Sequence, residues 1–153
     1  MMTLLNAMTI SSSGMTAHAQ RAQVHATNMA NLGTPGYKRQ IPILSQQAQV
    51  PFADLMGNVK ASASGVPADT LNNLGEAGVT MSGTISDPTK GTQLYMPYLP
   101  AADANGYVEA STANPLVDMA DALMANRMFE ANLSVYGILK TMASKSIELG
   151  SGR

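Results

Sequence analysis

Residues 3–32 read TLLNAMTISSSGMTAHAQRAQVHATNMANL and run into Gly33-Thr34-Pro35-Gly36. Taken in alternating steps of three and four, Leu5, Met8, Ser12, Met15, Ala19, Ala22, Ala26 and Met29 form one seam. That is a heptad-like spacing with small residues at half its positions. Ile10, Ala17 and Val24 form a second seam beside it. The only charge certain at neutral pH is Arg21; the other polar positions are Ser, Thr, Asn, Gln, His18 and His25. A helix that faces water on one side carries Lys and Glu there. The stretch therefore predicts a long helix packed on several sides, whose natural partners are other long helices. Its scarcity of charge pairs means that it needs tertiary contacts to persist. Gly33 is expected to take the left-handed position after the helix, and Pro35 to stop it. Ser11-Ser12-Ser13-Gly14 is a weak patch, the glycine alone costing ~1 kcal/mol against alanine. It leaves two readings open: a helix that starts near Met15, or close approach by a neighbouring backbone.

The far end of the chain matches this helix. Asn114 is placed to cap a second one and Pro115 suits its first position. Asp118 and Asp121 fall near its start, where the helix dipole favours anions. One seam runs Val117, Ala120, Met124, Met128, Ala131, Val135, Ile138, Met142, Lys145 and Leu149, with a stutter between Ala120 and Met128. Another holds Leu133, Tyr136, Ala143 and Ile147. A two-helix hairpin needs only one seam, so the stripe with Ala143 and Ile147 is expected to meet a neighbouring molecule. The two helices span ~45 and ~50 Å and can pair parallel or antiparallel.

Between them the pattern is different. Gln40–Leu44 is a short apolar run split by Pro42, at best an edge strand. Ser45–Glu76 is rich in Ala, Ser, Gly, Asn and Gln without a period, which predicts a mobile loop with a short helical piece around Phe52–Met56. Val79–Ile85 alternates with period two and reads as a strand, ended by Asp87-Pro88. Thr92–Leu99 reads as a second strand with Pro97 on an edge. Asp103-Ala104-Asn105-Gly106 carries a hairpin signal before a short strand from Tyr107. The expected architecture is mainly α with a small β insertion. Residues 1–36 with 114–153 form a terminal helical domain paired as in a coiled coil, and 37–113 form a central loop and β-rich module.

Composition narrows the chemistry. Only 12% of the 153 residues are charged and the net charge is -1, so no electrostatic footprint for nucleic acid or anionic lipid is present. The chain has no cysteine, which excludes disulfides, thiolate catalysis and Cys-based zinc sites. No removable signal peptide is apparent, and no run reaches the ~18 apolar residues of a membrane span. His18 and His25 are seven apart, ~10 Å along one helix, too far to share a metal, and read as polar helix-face residues. The Asp103–Gly106 segment resembles the middle of a calcium loop but lacks its flanking acids, so a turn is expected. Arg127 and Glu130, three apart, are most simply an intrahelical pair and alternatively an inter-subunit contact. No catalytic residue, metal site or cofactor is expected.

Three stretches resemble the flagellar axial proteins, and among them the subunits of the basal-body rod. Asn28-Met29-Ala30-Asn31-Leu32-Gly33-Thr34-Pro35-Gly36-Tyr37-Lys38-Arg39 matches the N-x-A-N-x-x-T-P-G-Y-K-R signature at the end of the first helix in that family. Tyr95 to Val108 is similar to a Y-x-P-x-H-P-x-A-x-x-x-G-Y-V segment of one rod branch and separates it from FlgB. Ala125-Asn126-Arg127-Met128-Phe129-Glu130-Ala131-Asn132-Leu133 is like the A-S-R-x-Y-E-A-N-V motif of the last helix. Leu99 replaces a family His and Asn126 a family Ser. The resemblance implies a structural protein without enzymatic activity. Its terminal helices would form the inner tube of a hollow, torque-transmitting proximal rod that crosses the periplasm. It implies as partners further copies of the chain, the rod proteins FlgB, FlgF, FlgG and FliE, and the flagellar type III apparatus, which exports subunits without cleaving a signal. The motif positions Asn28, Ala30, Asn31, Thr34, Pro35, Gly36, Tyr37, Arg127, Glu130, Ala131 and Asn132, with Ala143 and Ile147 of the second seam, are the expected family and assembly residues. The alternatives are a FlgB-like subunit and a non-polymerising coiled-coil adaptor or export chaperone. The β insertion and low charge argue against the chaperone.

Overall fold

The computed structural model describes residues 2–47, 78–150 and 152. Helix α1 spans Met2–Ala30 and helix α2 spans Pro115–Gly150. Between them lie strands β1 (Gln40–Gln46), β2 (Val79–Ser86), β3 (Gln93–Tyr95) and β4 (Tyr107–Glu109). The fold is two long helices with a small β region between them. The short helix expected at Phe52–Met56, and most of the loop expected over Ser45–Glu76, lie outside the described residues; Ser45 and Gln46 belong to β1.

The helices pair antiparallel. Ser11 meets Asn132, while Arg21, His25 and Asn28 near the other end of α1 meet Asp121 and Asp118 at the start of α2. The contact has the heptad step in a different phase from the expected main seams, and it takes Tyr136 and Ala143 from the second seam of α2 that was expected to meet a neighbouring molecule. On α1 it follows Ser11, Gly14, His18, Arg21, His25 and Asn28, all buried or half-buried. On α2 it follows Asp118, Ala122, Ala125, Phe129, Asn132, Tyr136, Leu139 and Ala143. The Met-rich seam of α2 is exposed instead: Met124 by 50%, Ile138 by 58% and Met142 by 53%. Small and polar side chains win the contact because they let two backbones approach. The Ser11 hydroxyl donates to the Asn132 carbonyl at 2.7 Å. A Cβ on Gly14 would come within 2.9 Å of the Asn132 side chain. The Ser11–Gly14 patch is therefore continuous helix at a close approach, and the helix does not start at Met15.

The break after α1 is built from Pro35 and Gly36 together. The Tyr37 N–H donates to the Thr34 carbonyl at 3.2 Å, with Gly36 at φ 71. This is the pattern of a type II turn, with Pro second and a left-handed residue third. The left-handed position belongs to Gly36; Gly33 is not among the positive-φ glycines of the described residues.

Strands β1 and β2 pair antiparallel as a ribbon that runs back along α1, from Asn28 beside Gln40 to Ser13 beside Val79. The register shifts between Ile43 and Leu44, leaving Ser82 as an extra residue on β2 next to Gly83 at φ 154. That is a β-bulge, and glycine tolerates the backbone it requires. Strands β3 and β4 form a separate two-stranded antiparallel sheet. The strand expected to run to Leu99 stops at Tyr95. Pro97 has no N–H to give a ladder, and the chain continues in turns, with Leu99 N–H donating to Met96 at 3.2 Å and Ala102 N–H to Leu99 at 3.0 Å. At the hairpin, the Asp103 carboxylate accepts from Asn105 N–H at 2.9 Å and Tyr107 N–H at 2.8 Å, before Gly106 at φ 81. Its acid is a turn cap.

The only buried apolar residues among those described are Ala17, Val108 and Ala125. Order is therefore concentrated where polar bonds are, at the Asn28–Asp118 end. Amide exchange in the purified chain is expected to be slowest over Arg21–Ala30 and to rise by at least about a hundredfold toward Met2 and beyond Lys145. Uniform protection along α1 would contradict this.

Candidate functional site

The family signature at 28–39 folds into a clasp that ties all the elements together. Asn28 is fully buried and uses its whole amide. Its Nδ2 donates to the Gln40 carbonyl at 2.8 Å and to Asp118 Oδ1 at 2.9 Å. Its Oδ1 accepts from the Tyr37 hydroxyl and from the Gln40 N–H, both at 2.9 Å. One side chain thus anchors the turn after α1, the first residue of β1 and the start of α2. Four bonds is the full capacity of a primary amide, so no other residue of this size would satisfy the same groups.

Asp118 is the second hub, with no exposed surface. Its Oδ1 accepts from His25 Nδ1–H at 2.9 Å, from Asn28 and from Arg39 Nε at 3.1 Å; its Oδ2 also accepts from Arg39 Nε at 3.1 Å. Arg39 reaches on to Asp121 at 3.1 Å, and Arg21 approaches the other Asp121 oxygen at 3.7 Å. Two guanidinium groups are thus matched by two carboxylates. Burial opposes the Asp118 charge, but the bonds from His25, Asn28 and Arg39, with the Arg39 charge, outweigh it and hold the carboxyl below its ordinary value. Burial, with the Asp118 charge nearby, pushes the Tyr37 hydroxyl up. Burial and then the Arg21 charge push His18 down. His18 Nδ1 and His25 Nε2 are buried without a hydrogen-bond partner among the described residues. The two histidines lie on the helix face that meets α2.

A second set of bonds fastens the small sheet to the same turn. Gly36 N–H donates to the Glu109 carbonyl at 2.7 Å. Lys38 Nζ donates to the Glu109 carboxylate at 2.6 Å and to the Thr89 carbonyl at 2.8 Å. The Lys38 bond and then the Gly91 N–H hold Glu109 below its ordinary value. Arg39 N–H donates to the Thr112 hydroxyl at 2.8 Å, and Thr112 N–H returns to the Tyr37 carbonyl at 3.1 Å. Asn31 accepts from the Thr34 hydroxyl at 3.1 Å, closing the turn locally. Leu32, Pro35, Leu94 and Val108 line a cavity of 160 Å³ at this junction.

The expected assembly residues fall into three groups. Asn28, Asn31, Thr34, Gly36 and Tyr37 belong to the clasp, with Ala30 and Pro35 exposed beside it. Asn132 and Ala143 are half-buried toward α1. Arg127, Glu130, Ala131 and Ile147 are exposed on α2. The expected Arg127–Glu130 intrahelical pair is not made: ion pairs among the described residues use Arg21, His25, Lys38, Arg39 and Lys145. His25, Arg39 and Asp118 are central to the clasp although none was an expected site residue. His25 and Asp118 are 93 residues apart, so no local motif joins them. The signal available was their phase, since His25 and Asn28 share one helix line.

Among the described residues no helix is long and apolar enough to cross a membrane. The arrangement offers connection, with every polar group of its two hubs committed to another part of the same chain.

No family model matches the chain. Curated relatives match nearly all of it. The flagellar basal-body rod protein FlgC of Buchnera aphidicola subsp. Acyrthosiphon pisum is 32% identical over 150 residues, 97% of this chain and 98% of the relative. The FlgC of Bacillus subtilis is 29% identical over 154 residues, covering 97% and 99%. The FlgC of Salmonella typhimurium is 28% identical over 149 residues, again covering 97% and 99%.

Proposed function

The chain belongs to the FlgC family of flagellar basal-body rod proteins, and from that premise we propose that it is a structural subunit that polymerises through its terminal helices into the proximal rod. The observation that carries the polymer reading is the exposed apolar stripe of α2. Met124, Met128, Val135, Ile138 and Met142 are each 46–58% exposed on a helix whose other side is already occupied by α1. A continuous apolar face of that length marks an interaction surface. In this reading residues 1–36 with 114–153 form the inner tube of a hollow shaft that transmits torque across the periplasm, and 37–113 form a module carried on it. The clasp residues Asn28, Asn31, Thr34, Gly36 and Tyr37 fix the angle between these parts. Arg127, Glu130, Ala131 and Ile147 are left for neighbours.

Association with other basal-body components follows from family membership. The specific partners proposed are further copies, FlgB, FlgF, FlgG and FliE. The proposed route is flagellar type III export without signal cleavage. The role is structural rather than catalytic.

Ile138→Asp tests the reading. The side chain is 58% exposed, so the free chain is expected to keep its helical circular-dichroism signal. A carboxylate at a dry subunit contact is expected to cut incorporation into purified basal bodies by at least about tenfold and abolish swimming. Normal incorporation of this variant, or absence of the unmodified chain from basal bodies, would overturn it.

A further inference from the structure

The back of α2 carries Arg127 and Glu130, which the polymer reading leaves to neighbours without fixing their geometry. Leu123, Arg127, Glu130 and Ser134 follow steps of four, three and four and are all exposed. Arg127 lies two residues beyond Ala125 of the buried seam, ~200° around the helix. This line therefore points away from α1. At its centre are two opposite charges one turn apart, neither in an ion pair among the described residues. Toward the start of α2 the line is large and apolar, with Leu123 53% and Leu116 77% exposed. Toward its end the line is small. Gly137 meets nothing within 4 Å of a Cβ position, and Ser134, Gly137 and Thr141 share an open hollow of 860 Å³ with Leu4 of α1 and with Ile138 and Met142 of the Met-rich stripe. The Thr141 hydroxyl is already spent on the Gly137 carbonyl at 3.0 Å, so it asks nothing of an occupant.

We propose that the free chain pairs with a second copy of itself through this line, antiparallel about a two-fold axis between Arg127 and Glu130. The charges select the occupant. A partner carrying one sign would leave the other charge desolvated and unpaired, at high cost. A partner that fits must carry both signs, one turn apart and in reverse order, and this line turned end over end does so. The same rotation sets Arg127 against the other copy's Glu130 twice. It sets Leu123 over Ser134 and Leu116 over Thr141, large against small, with the small Ala120 over Gly137 between them. Parallel pairing in register would instead place like charges and like sizes together. An isologous contact of this kind closes on itself, so it is a form of the free chain and competes with incorporation into a polymer.

The test uses the purified full-length chain and measures mass by analytical ultracentrifugation against the 16.0 kDa of one copy. The unaltered chain is expected to sediment at twice that mass. Arg127→Glu or Glu130→Arg alone is expected to raise the dissociation constant at least about tenfold, because like charges then face each other twice. An equimolar mixture of the two variants pairs opposite charges again and is expected to restore the dimer. The chain carrying both changes should do the same. A purely intrahelical role would be repaired in the double variant but not in the mixture. Direction is read by cysteine pairing, which the cysteine-free chain permits. Leu123→Cys mixed with Ser134→Cys should oxidise to a linked pair, and Leu123→Cys alone should not. A chain that stays at 16.0 kDa up to ~100 μM, a mixture that remains monomeric, or efficient linking of Leu123→Cys to itself overturns the proposal. If either single variant folds poorly, the cysteine pairing, which leaves Arg127 and Glu130 unaltered, still decides. Failure here leaves the rod reading standing, since that is scored by basal-body incorporation.

Discussion

Replacing Asp118 with alanine is expected to remove ~3–5 kcal/mol from the stability of the isolated chain, the range for deleting one partner of a buried ion pair. The loss has two parts. Arg39 keeps its charge, with a side chain only 17% exposed, but loses its acceptor at the centre of the clasp. His25 Nδ1 and one Asn28 N–H lose theirs as well. A typical domain has ~5–15 kcal/mol in all, so the variant is expected to be largely unfolded near 37 °C. Chemical denaturation measures this, and a change below ~1 kcal/mol would mean that the network carries little weight. The pH dependence follows in sign. The Asp118 carboxyl is held below its ordinary value of 3.8 in the folded chain. Its contribution is complete above that value and is lost as pH falls through the folded one. Acid unfolding of the natural chain should therefore include a component below about pH 4 that is absent from Asp118→Asn.

Asn28→Asp changes few atoms and is expected to cost as much, ~3–5 kcal/mol at pH 7. The nitrogen it replaces lies 2.9 Å from Asp118 Oδ1 and 2.8 Å from the Gln40 carbonyl. Both contacts become oxygen against oxygen, and two carboxylates then share a site without water. The pH response should also reverse. A carboxyl forced beside Asp118 has its pKa raised, and once protonated it regains a donor for Asp118 or for Gln40. The variant should gain stability relative to the natural chain as pH falls from 7 toward 5, where the depressed His18 makes the natural chain lose some. Parallel pH profiles for the two proteins would contradict the geometry. Since Asn28 and Asp118 are bonded to each other, the double variant Asn28→Asp/Asp118→Ala should lose less than the two single losses added.

Periodicity made the secondary structure legible. Both helices, the ribbon strand from Val79 and the Asp103–Gly106 turn lie near their expected places. The contact between the helices was not legible. Counting apolar residues at heptad spacing finds Met124, Met128 and Met142 because methionine scores as core, yet these side chains face outward. The inward line begins Ser11, Gly14 and His18, which no hydrophobic count selects. Close backbone approach and buried polar bonds depend on what stands opposite, and that information lies 93 residues away for His25 and 121 for Ser11. The same limit explains Gly36. A helix stop was visible, but which glycine turns left-handed depends on the bond from Gly36 to Glu109. Asn28, Asn31, Thr34 and Tyr37 were found through a family signature, and their bonding supplies the physical reason for those residue types.

The scarcity of buried apolar side chains sets how this protein answers to temperature. Unfolding normally raises the heat capacity by ~12–15 cal/mol/K per residue, mostly through newly wetted hydrocarbon. Here Ala17, Val108 and Ala125 are the buried apolar residues described, while Met, Leu and Ile already meet water on α2. Among the described residues little hydrocarbon remains to be wetted. The stability curve of the lone chain is therefore shallow: cooling strengthens it little, warming melts it over a wide interval, and a sharp thermal transition arises only when neighbouring molecules cover the helices.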